Sequence, residues 1–219
     1  MKIGVLGTGT VGETLATKLA ELGHEVKMGS REAGNEKAVA WAKQAGDSAG
    51  EGSFEDAAAA GEVVINATAG TASVEALRQA GPDNLAGKVL IDVANPLDFS
   101  QGMPPRLSVC NDDSLGEQIQ REFPDARVVK TLNTVNAGVM VDPQSVAASH
   151  TVFVAGDDAA AKEQVRELLG SFGWQPDDVL DLGDIGAARG TEMYLPLWLR
   201  LWGATGTANL NVKVLAAAS

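Results

Sequence analysis

Cysteine occurs once in this chain of 219 residues, as Cys110. That excludes an internal disulfide framework and any cysteine-based zinc or iron–sulfur cluster. Histidine is almost as scarce: His24 and His150 stand far apart, so no histidine-led metal site is expected, and neither sits in a motif that suggests a base. Positive charge is in deficit, 17 basic against 29 acidic side chains, for a net charge of −12. This is the wrong sign for a general nucleic-acid or anionic-membrane binder. No apolar run approaches the roughly 18 residues of a membrane span. The opening Met-Lys-Ile-Gly-Val-Leu enters a strand-like run at once, without the order of a secretory leader. The expectation is a soluble, cytoplasmic protein of a reducing compartment. With 45% hydrophobic and 21% charged residues, it has material for a full core.

Glycine is abundant, at 25 positions, many of them between periodic segments. Ile3–Leu6 is a short apolar run without strict alternation, as a central strand covered on both faces requires. Val11, Leu15, Leu19 and Leu22 then recur at helical spacing until Gly23. Further strands are predicted at Glu25–Gly29, Ser48–Gly52, Val63–Ala67, Lys88–Asp92, Arg127–Thr131 and Thr151–Ala155. Helices are predicted at Asn35–Ala45, Phe54–Ala60, Val74–Gln79, Ser114–Phe123 and Ala159–Phe172, with Ser114 and Glu117 forming a capping box. Short strands alternating with helices argue a mostly parallel sheet covered on both sides. After Gly186 the character changes. Met193–Trp202 is apolar on more than one face, broken only by Pro196 and Arg200, and needs cover from its own domain or a second copy.

The chemistry begins at Gly7-Thr-Gly9-Thr-Val-Gly12, which follows a strand and opens a helix. In that setting Gly7 allows a tight turn, Gly9 lets the backbone approach a pyrophosphate, and Gly12 lets the helix lie close to the sheet. The phosphates then meet the helix N-terminus. Thr8, Thr10 and Val11 complete this loop. At the end of the second strand, where an acidic residue would select NAD, the chain reads Gly29-Ser30-Arg31. Arg31 can pair with a 2′-phosphate, with hydroxyls from Ser30 and Thr8 or Thr10, and Lys37 adds charge nearby. Glu32 reads as a first-turn residue of the next helix. NADP(H) is therefore expected over NAD(H), in an α/β, Rossmann-like, doubly wound domain over residues 1–182. Residues 183–219 form a small helical C-terminal part for packing and dimerisation.

Polar residues also mark three other strand ends, at Asn66-Ala67-Thr68, Asp92-Val-Ala-Asn95 and Thr131-Leu-Asn133-Thr134. Ligands collect at such ends in open parallel sheets. Ala67, Thr68, Asn95 and Asn133 are candidates for the nicotinamide ribose, the carboxamide or a second substrate, with Asn95 shaping a turn and Thr68 capping a helix as the structural alternatives. No Ser–His–Asp or Cys–His arrangement is visible, Cys110 reads as an inert thiol, and no catalytic or metal-ligating side chain is assigned. Direct hydride transfer fits this inventory.

These residues, with Gly23-His-Glu-Val26, Asn95-Pro-Leu97, Val129-Lys-Thr-Leu-Asn-Thr134 and Gly156-Asp-Asp158, resemble the NADPH:coenzyme F420 oxidoreductase family over nearly the whole chain. The nucleotide half of that family is related to the cytosolic domain of the transmembrane ferric reductases. The resemblance implies a homodimer that passes a hydride between NADPH and a deazaflavin, with Thr8, Ser30 and Arg31 at the 2′-phosphate and Lys37 where relatives often carry arginine. Asn133 stands where archaeal members have histidine, so a flavin-like acceptor is an alternative to F420. Two other readings stay open. One is an NADPH-dependent reductase of a small imine or carbonyl acid, which would need a proton donor; Lys130 lies inside a strand with no identifiable partner. The other is a non-enzymatic NADPH-sensing module.

Overall fold

The computed structural model describes residues 1–216. Its first half alternates without interruption: β1 (Lys2–Leu6), α1 (Thr10–Glu21), β2 (Glu25–Ser30), α2 (Glu36–Ala45), β3 (Ala49–Ser53), α3 (Phe54–Ala60), β4 (Val63–Asn66), α4 (Ser73–Ala80), the short α5 (Pro82–Leu85) and β5 (Val89–Asp92). A small hairpin of β6 (Leu97–Asp98) and β7 (Arg106–Leu107) follows. Then come α6 (Leu115–Glu122), β8 (Arg127–Thr131), α7 (Ala137–Val141), β9 (Val152–Ala155), α8 (Ala159–Phe172) and β10 (Val179–Asp181). The chain closes on α9 (Ala188–Met193) and α10 (Leu195–Thr205). The sheet order is β10-β9-β8-β5-β4-β1-β2-β3, parallel at every pairing except β8 with β9. The order reverses between β1 and β4, which is where doubly wound sheets open a crevice.

Strands β1, β4 and β5 carry apolar residues at successive positions because both of their faces are covered. One face packs Leu15 and Leu19 of α1, Trp41 of α2, Val139 of α7, and Leu168 and Phe172 of α8. The other packs Phe54 of α3, Leu77 of α4, Leu85 of α5 and Ile119 of α6. Gly4 permits the second layer: a Cβ there would come 2.3 Å from the Ala57 carbonyl oxygen.

Three local expectations are corrected. Glu32 lies in the loop ahead of α2, whose N-cap is Asn35, because the Ser30 hydroxyl bonds the Glu32 carbonyl and delays the helix. Ser114 does cap α6 through the Glu117 N–H, but the Glu117 carboxylate accepts from the Ser114 hydroxyl and turns to Arg189 at 2.8 Å, so the reciprocal half of a capping box is missing. A full box forms instead at Ser53 and Asp56. The helical C-terminal stretch ends at Thr205. Beyond Gly206 the chain runs extended along the body, where Thr151 N–H meets the Val212 carbonyl and Lys213 pairs with Asp178 at 2.6 Å. Residues 217–219 of the expected C-terminal part lie outside the described residues.

The start of α6 is braced by Arg121, whose guanidinium meets both oxygens of Asp113 at 3.0 and 2.9 Å. That hydrogen bonding holds the Asp113 carboxyl down from 3.8 to about 2. A depressed carboxyl stabilises the fold above its unfolded value and loses that contribution as pH falls toward its folded one. Because Arg121 is largely exposed, screening reduces the worth of the pair to about 1 kcal/mol. Asp113→Asn should therefore be less stable by about 1 kcal/mol at pH 7 in urea unfolding, with the difference from the parent shrinking as the pH drops from about 4 toward 2.

Candidate functional site

The glycine loop separates its three tasks in space. Gly7 has φ +120°, and a Cβ on it would lie 2.6 Å from the Ala67 carbonyl oxygen, so β1 and β4 can close on each other only with glycine here. A Cβ on Gly12 would lie 2.1 Å from the Gly7 carbonyl oxygen, which seats α1 against the loop. Gly9 is different: its φ of −81° suits any residue and nothing lies within 4 Å of its would-be Cβ. It caps α1 without a side-chain hydrogen bond, so the first N–H groups of the helix remain available to an anion. A side chain at Gly9 is excluded by a ligand or by nothing.

Two clefts meet over this loop and share Ala67, Thr68 and Ala69. The smaller, about 270 Å³, is bounded by Gly7, Thr8, Gly9, Arg31, Phe54 and Glu75. Arg31 is exposed and makes no side-chain hydrogen bond or ion pair among the described residues. Ser30 is buried beside it. Lys37, on the first turn of α2, lines neither cleft, and Thr10 faces a separate groove with Glu13 and Thr17.

The larger cleft, about 430 Å³, lies over the ends of β4, β5 and β8, with Val11 on one side. It gathers Thr68, Asn95 and Asn133, the three polar candidates read from the strand ends. Asn95 and Asn133 hold each other: Asn95 Nδ2 donates to the Asn133 carbonyl at 2.7 Å, and Asn133 Nδ2 to Asn95 Oδ1 at 2.9 Å. Leu132 makes this possible. Its φ of +60°, with Asn133 N–H bonded to the Thr131 carbonyl at 2.7 Å, is the strained form of the γ-turn and costs about 1–3 kcal/mol for a bulky residue. The Thr68 hydroxyl is engaged as well, with Asn66 Oδ1 at 2.7 Å and Ser73 Oγ at 2.9 Å, and it caps no helix.

Behind the cleft wall runs a buried polar chain that the sequence did not reveal. Asn66 Nδ2 donates to Asp92 Oδ1 at 2.8 Å, and Lys130 Nζ meets Asp92 Oδ2 at 2.7 Å, the Ala94 carbonyl at 2.6 Å and Glu192 Oε1 at 2.8 Å. Glu192 also accepts from the N–H groups of Leu115 and Gly116 at the start of α6. Burial pulls the Lys130 ammonium down, but the two carboxylates outweigh it and leave it raised above the ordinary lysine value. Burial likewise raises Glu192. Lys130 has partners on β5 and α9, and its side chain is fully buried rather than presented to the cleft.

Sequence reasoning also missed Leu195 and Trp198 of α10 as cleft residues, along with Thr134, Asn136 and Met140. Thr134 Oγ1 and Trp198 Nε1 are buried in that wall without a hydrogen-bond partner. Among the described residues no helix is long and apolar enough to cross a membrane. The glycine geometry gives a paired test. Gly9→Val should fold with the parent's circular dichroism and melting curve yet bind no dinucleotide in a fluorescence titration, whereas Gly12→Val should fail to fold.

Comparison with known proteins agrees with this geometry. Residues 2–96 match the family model described as NADP oxidoreductase, coenzyme F420-dependent. A crystal structure of a provisionally assigned F420-dependent NADP reductase from Arthrobacter sp. FB24 is 57% identical, with a TM-score of 0.93 over 99% of this chain and 100% of that one. The rat metalloreductase STEAP3 is 31% identical over 90% of this chain, which spans only 38% of that protein's length. A reductive aminase from Aspergillus terreus, at 20% identity and a TM-score of 0.66 over 94% of this chain and 62% of the other, shares the fold alone. The F420-dependent NADP reductase of Methanothermobacter marburgensis is 32% identical, covering 97% of this chain and 93% of the relative. The chain belongs to the family of F420-dependent NADP reductases.

Proposed function

We propose that this enzyme passes a hydride between NADP(H) and a planar conjugated acceptor of the deazaflavin or flavin type, in the larger cleft. The carrying observation is the cleft's lining. Among the described residues around it, Asp98 is the one titratable side chain; lysine, arginine, histidine, tyrosine and cysteine are absent. Reduction of a carbonyl or imine needs a proton donor at the reacting atom, and binding of a small acid needs a cation. A conjugated ring needs neither, because it spreads the incoming charge over its own bonds. Val93, Leu97, Phe99, Met140, Leu195 and Trp198 supply an apolar enclosure for such a ring.

The residues divide the remaining work. The unpaired N–H groups at the start of α1 hold the pyrophosphate, and Gly9 leaves it room. Arg31, with Thr8 and Ser30 beside it, takes the 2′-phosphate; Lys37 acts at longer range. The locked Asn95–Asn133 pair, with Ala67 and Thr68, shapes the seat for the nicotinamide end. When bound there, the cofactor supplies the hydride chemistry.

The same reading includes a homodimer. Of α10 only Leu195 is buried; Leu197 is 55% exposed and Trp202 41%. Pro196 sits in the first turn of α10 and the stretch divides at Tyr194, yet this break does not bury the apolar surface. A second copy of α10 is its natural cover. Trp198 serves the chain's own cleft, so the dimer is tested elsewhere. Leu197→Glu with Trp202→Glu should sediment as a monomer where the parent sediments as a dimer, and a monomeric parent overturns this part.

Arg31→Ala should weaken NADPH binding by about 1.5–3 kcal/mol while leaving NADH binding little changed. An equal loss for both cofactors would make Arg31 structural. The acceptor is tested by following NADPH oxidation with F420, FMN, FAD and small carbonyl acids in turn. Turnover with F420 or a flavin supports the reading, and turnover with the carbonyl acids alone rejects it.

A further inference from the structure

We propose that Lys130 is a positioning residue for this reaction: one buried ammonium ties together all four walls of the larger cleft and so sets the spacing at which hydride transfer occurs. The inference rests on the hydride-transfer reading above and deepens it. Lys130 touches no ligand space, since its side chain is fully buried. Its bonds run outward to each wall. Through Asp92 it reaches Asn66, whose Oδ1 accepts from the Thr68 N–H and hydroxyl, and this fixes the wall of residues 67–71. Through the Ala94 carbonyl it holds the turn that presents Asn95. Its own strand continues directly into Leu132 and Asn133, the strained turn of the third wall. Through Glu192 it grips the last turn of α9, three residues before Leu195 and six before Trp198, which form the fourth wall.

The electrostatics make this a stiff joint. Two carboxylates share one ammonium, and the surplus negative charge is met by the Leu115 and Gly116 N–H groups at the start of α6. All of these groups are at least nine-tenths buried, so water cannot substitute for a lost partner. The links through Asp92, the Ala94 carbonyl and β8 end at the cleft, and Glu192 divides between the cleft helix and the start of α6. Gly9 and Arg31 make no bond to this chain of groups, although the two clefts meet at Ala67, Thr68 and Ala69, so a change at the joint should disturb the nicotinamide seat and the acceptor wall and spare the contact to the 2′-phosphate.

The test uses Lys130→Met and, because that variant leaves two buried carboxylates and can fail to fold, Glu192→Gln, which keeps the side-chain shape and leaves Lys130 paired with Asp92. In fully folded protein, kcat with the acceptor that the parent uses should fall by about tenfold to a hundredfold. The ratio of the NADPH and NADH dissociation constants should stay within about twofold, since the 2′-phosphate contact is untouched, and the isotope effect with 4-deuterated NADPH should rise as the hydride step becomes limiting. Hydrogen exchange should quicken together in residues 67–71, 93–98, 132–138 and 193–200, with β1 and β2 unchanged. A folded variant with the parent's kcat and isotope effect overturns the proposal. So does a loss of kcat that merely follows the unfolded fraction. If the parent turns over no acceptor, the functional reading fails by itself, and the exchange measurement then decides the joint: unaltered exchange in the four segments rejects it.

Discussion

A charge with no access to water governs this structure. Lys130 lies in the middle of β8 with its side chain fully buried, and the hydrogen bonds of its ammonium hold Asp92, the Ala94 carbonyl and Glu192 in one place. Removing one partner from a buried pair typically costs about 3–5 kcal/mol, because the other is left uncompensated. Replacing such groups with apolar ones is often harmless, so a buried pair is weak evidence of stability for its own sake. Its value here lies in geometry. The sheet core would pack with apolar residues at 130, 92 and 192 together, but the loops after β4, β5 and β8 and the helix α9 would lose their common reference point.

The glycine loop applies the same principle with steric rather than electrostatic means. Gly7 and Gly12 are held in place by backbone atoms 2.1–2.6 Å from where a Cβ would sit, so the β1–α1 turn has one arrangement. Leu132 adds a third rigid point, a left-handed residue kept in its strained turn by burial and by the Asn95–Asn133 pair. Such strain persists only where the surroundings over-determine it. Here they do, and along the chain the strained residue stands between Lys130 and the cleft residue Asn133.

What was legible in the sequence follows the range of the interactions. The strand–loop–helix around Gly7, Gly9 and Gly12 is local, and its spacing carries its meaning. The alternation of strands and helices was equally readable, including the edge strand β3; the strand order and the antiparallel β8–β9 pairing appear only in the fold. Lys130 was read as a strand lysine without a partner because Asp92 and Glu192 are distant in sequence and meet it only through the fold. The same limit applies to Ser114 and Glu117: the motif was correctly placed, but Arg189, remote in sequence, takes the glutamate. The density of apolar residues in Tyr194–Trp202 showed that the segment needed cover. It did not show that Leu195 and Trp198 would turn toward the chain's own cleft while Leu197 and Trp202 faced outward, since that depends on how α9 is anchored at Glu192.

On the proposed reading, cofactor recognition and reaction geometry are lodged in different kinds of residue. Gly9 and Arg31 are surrounded by open space and make few contacts within the protein, so the fold tolerates change there and cofactor preference can shift at little structural cost. Lys130, Asp92, Glu192 and Leu132 are woven into the core, and any change at them alters the cleft and the fold together. The acceptor wall lies between these extremes. Trp198 stands on a helix anchored at one end by Glu192 and uncovered along its outer face, with its ring 5.7 Å from that of Trp202. A partner pressing on Trp202 would act on Trp198 directly, and through it on the cleft. In the proposed dimer, assembly and acceptor fit would both depend on where one short helix sits.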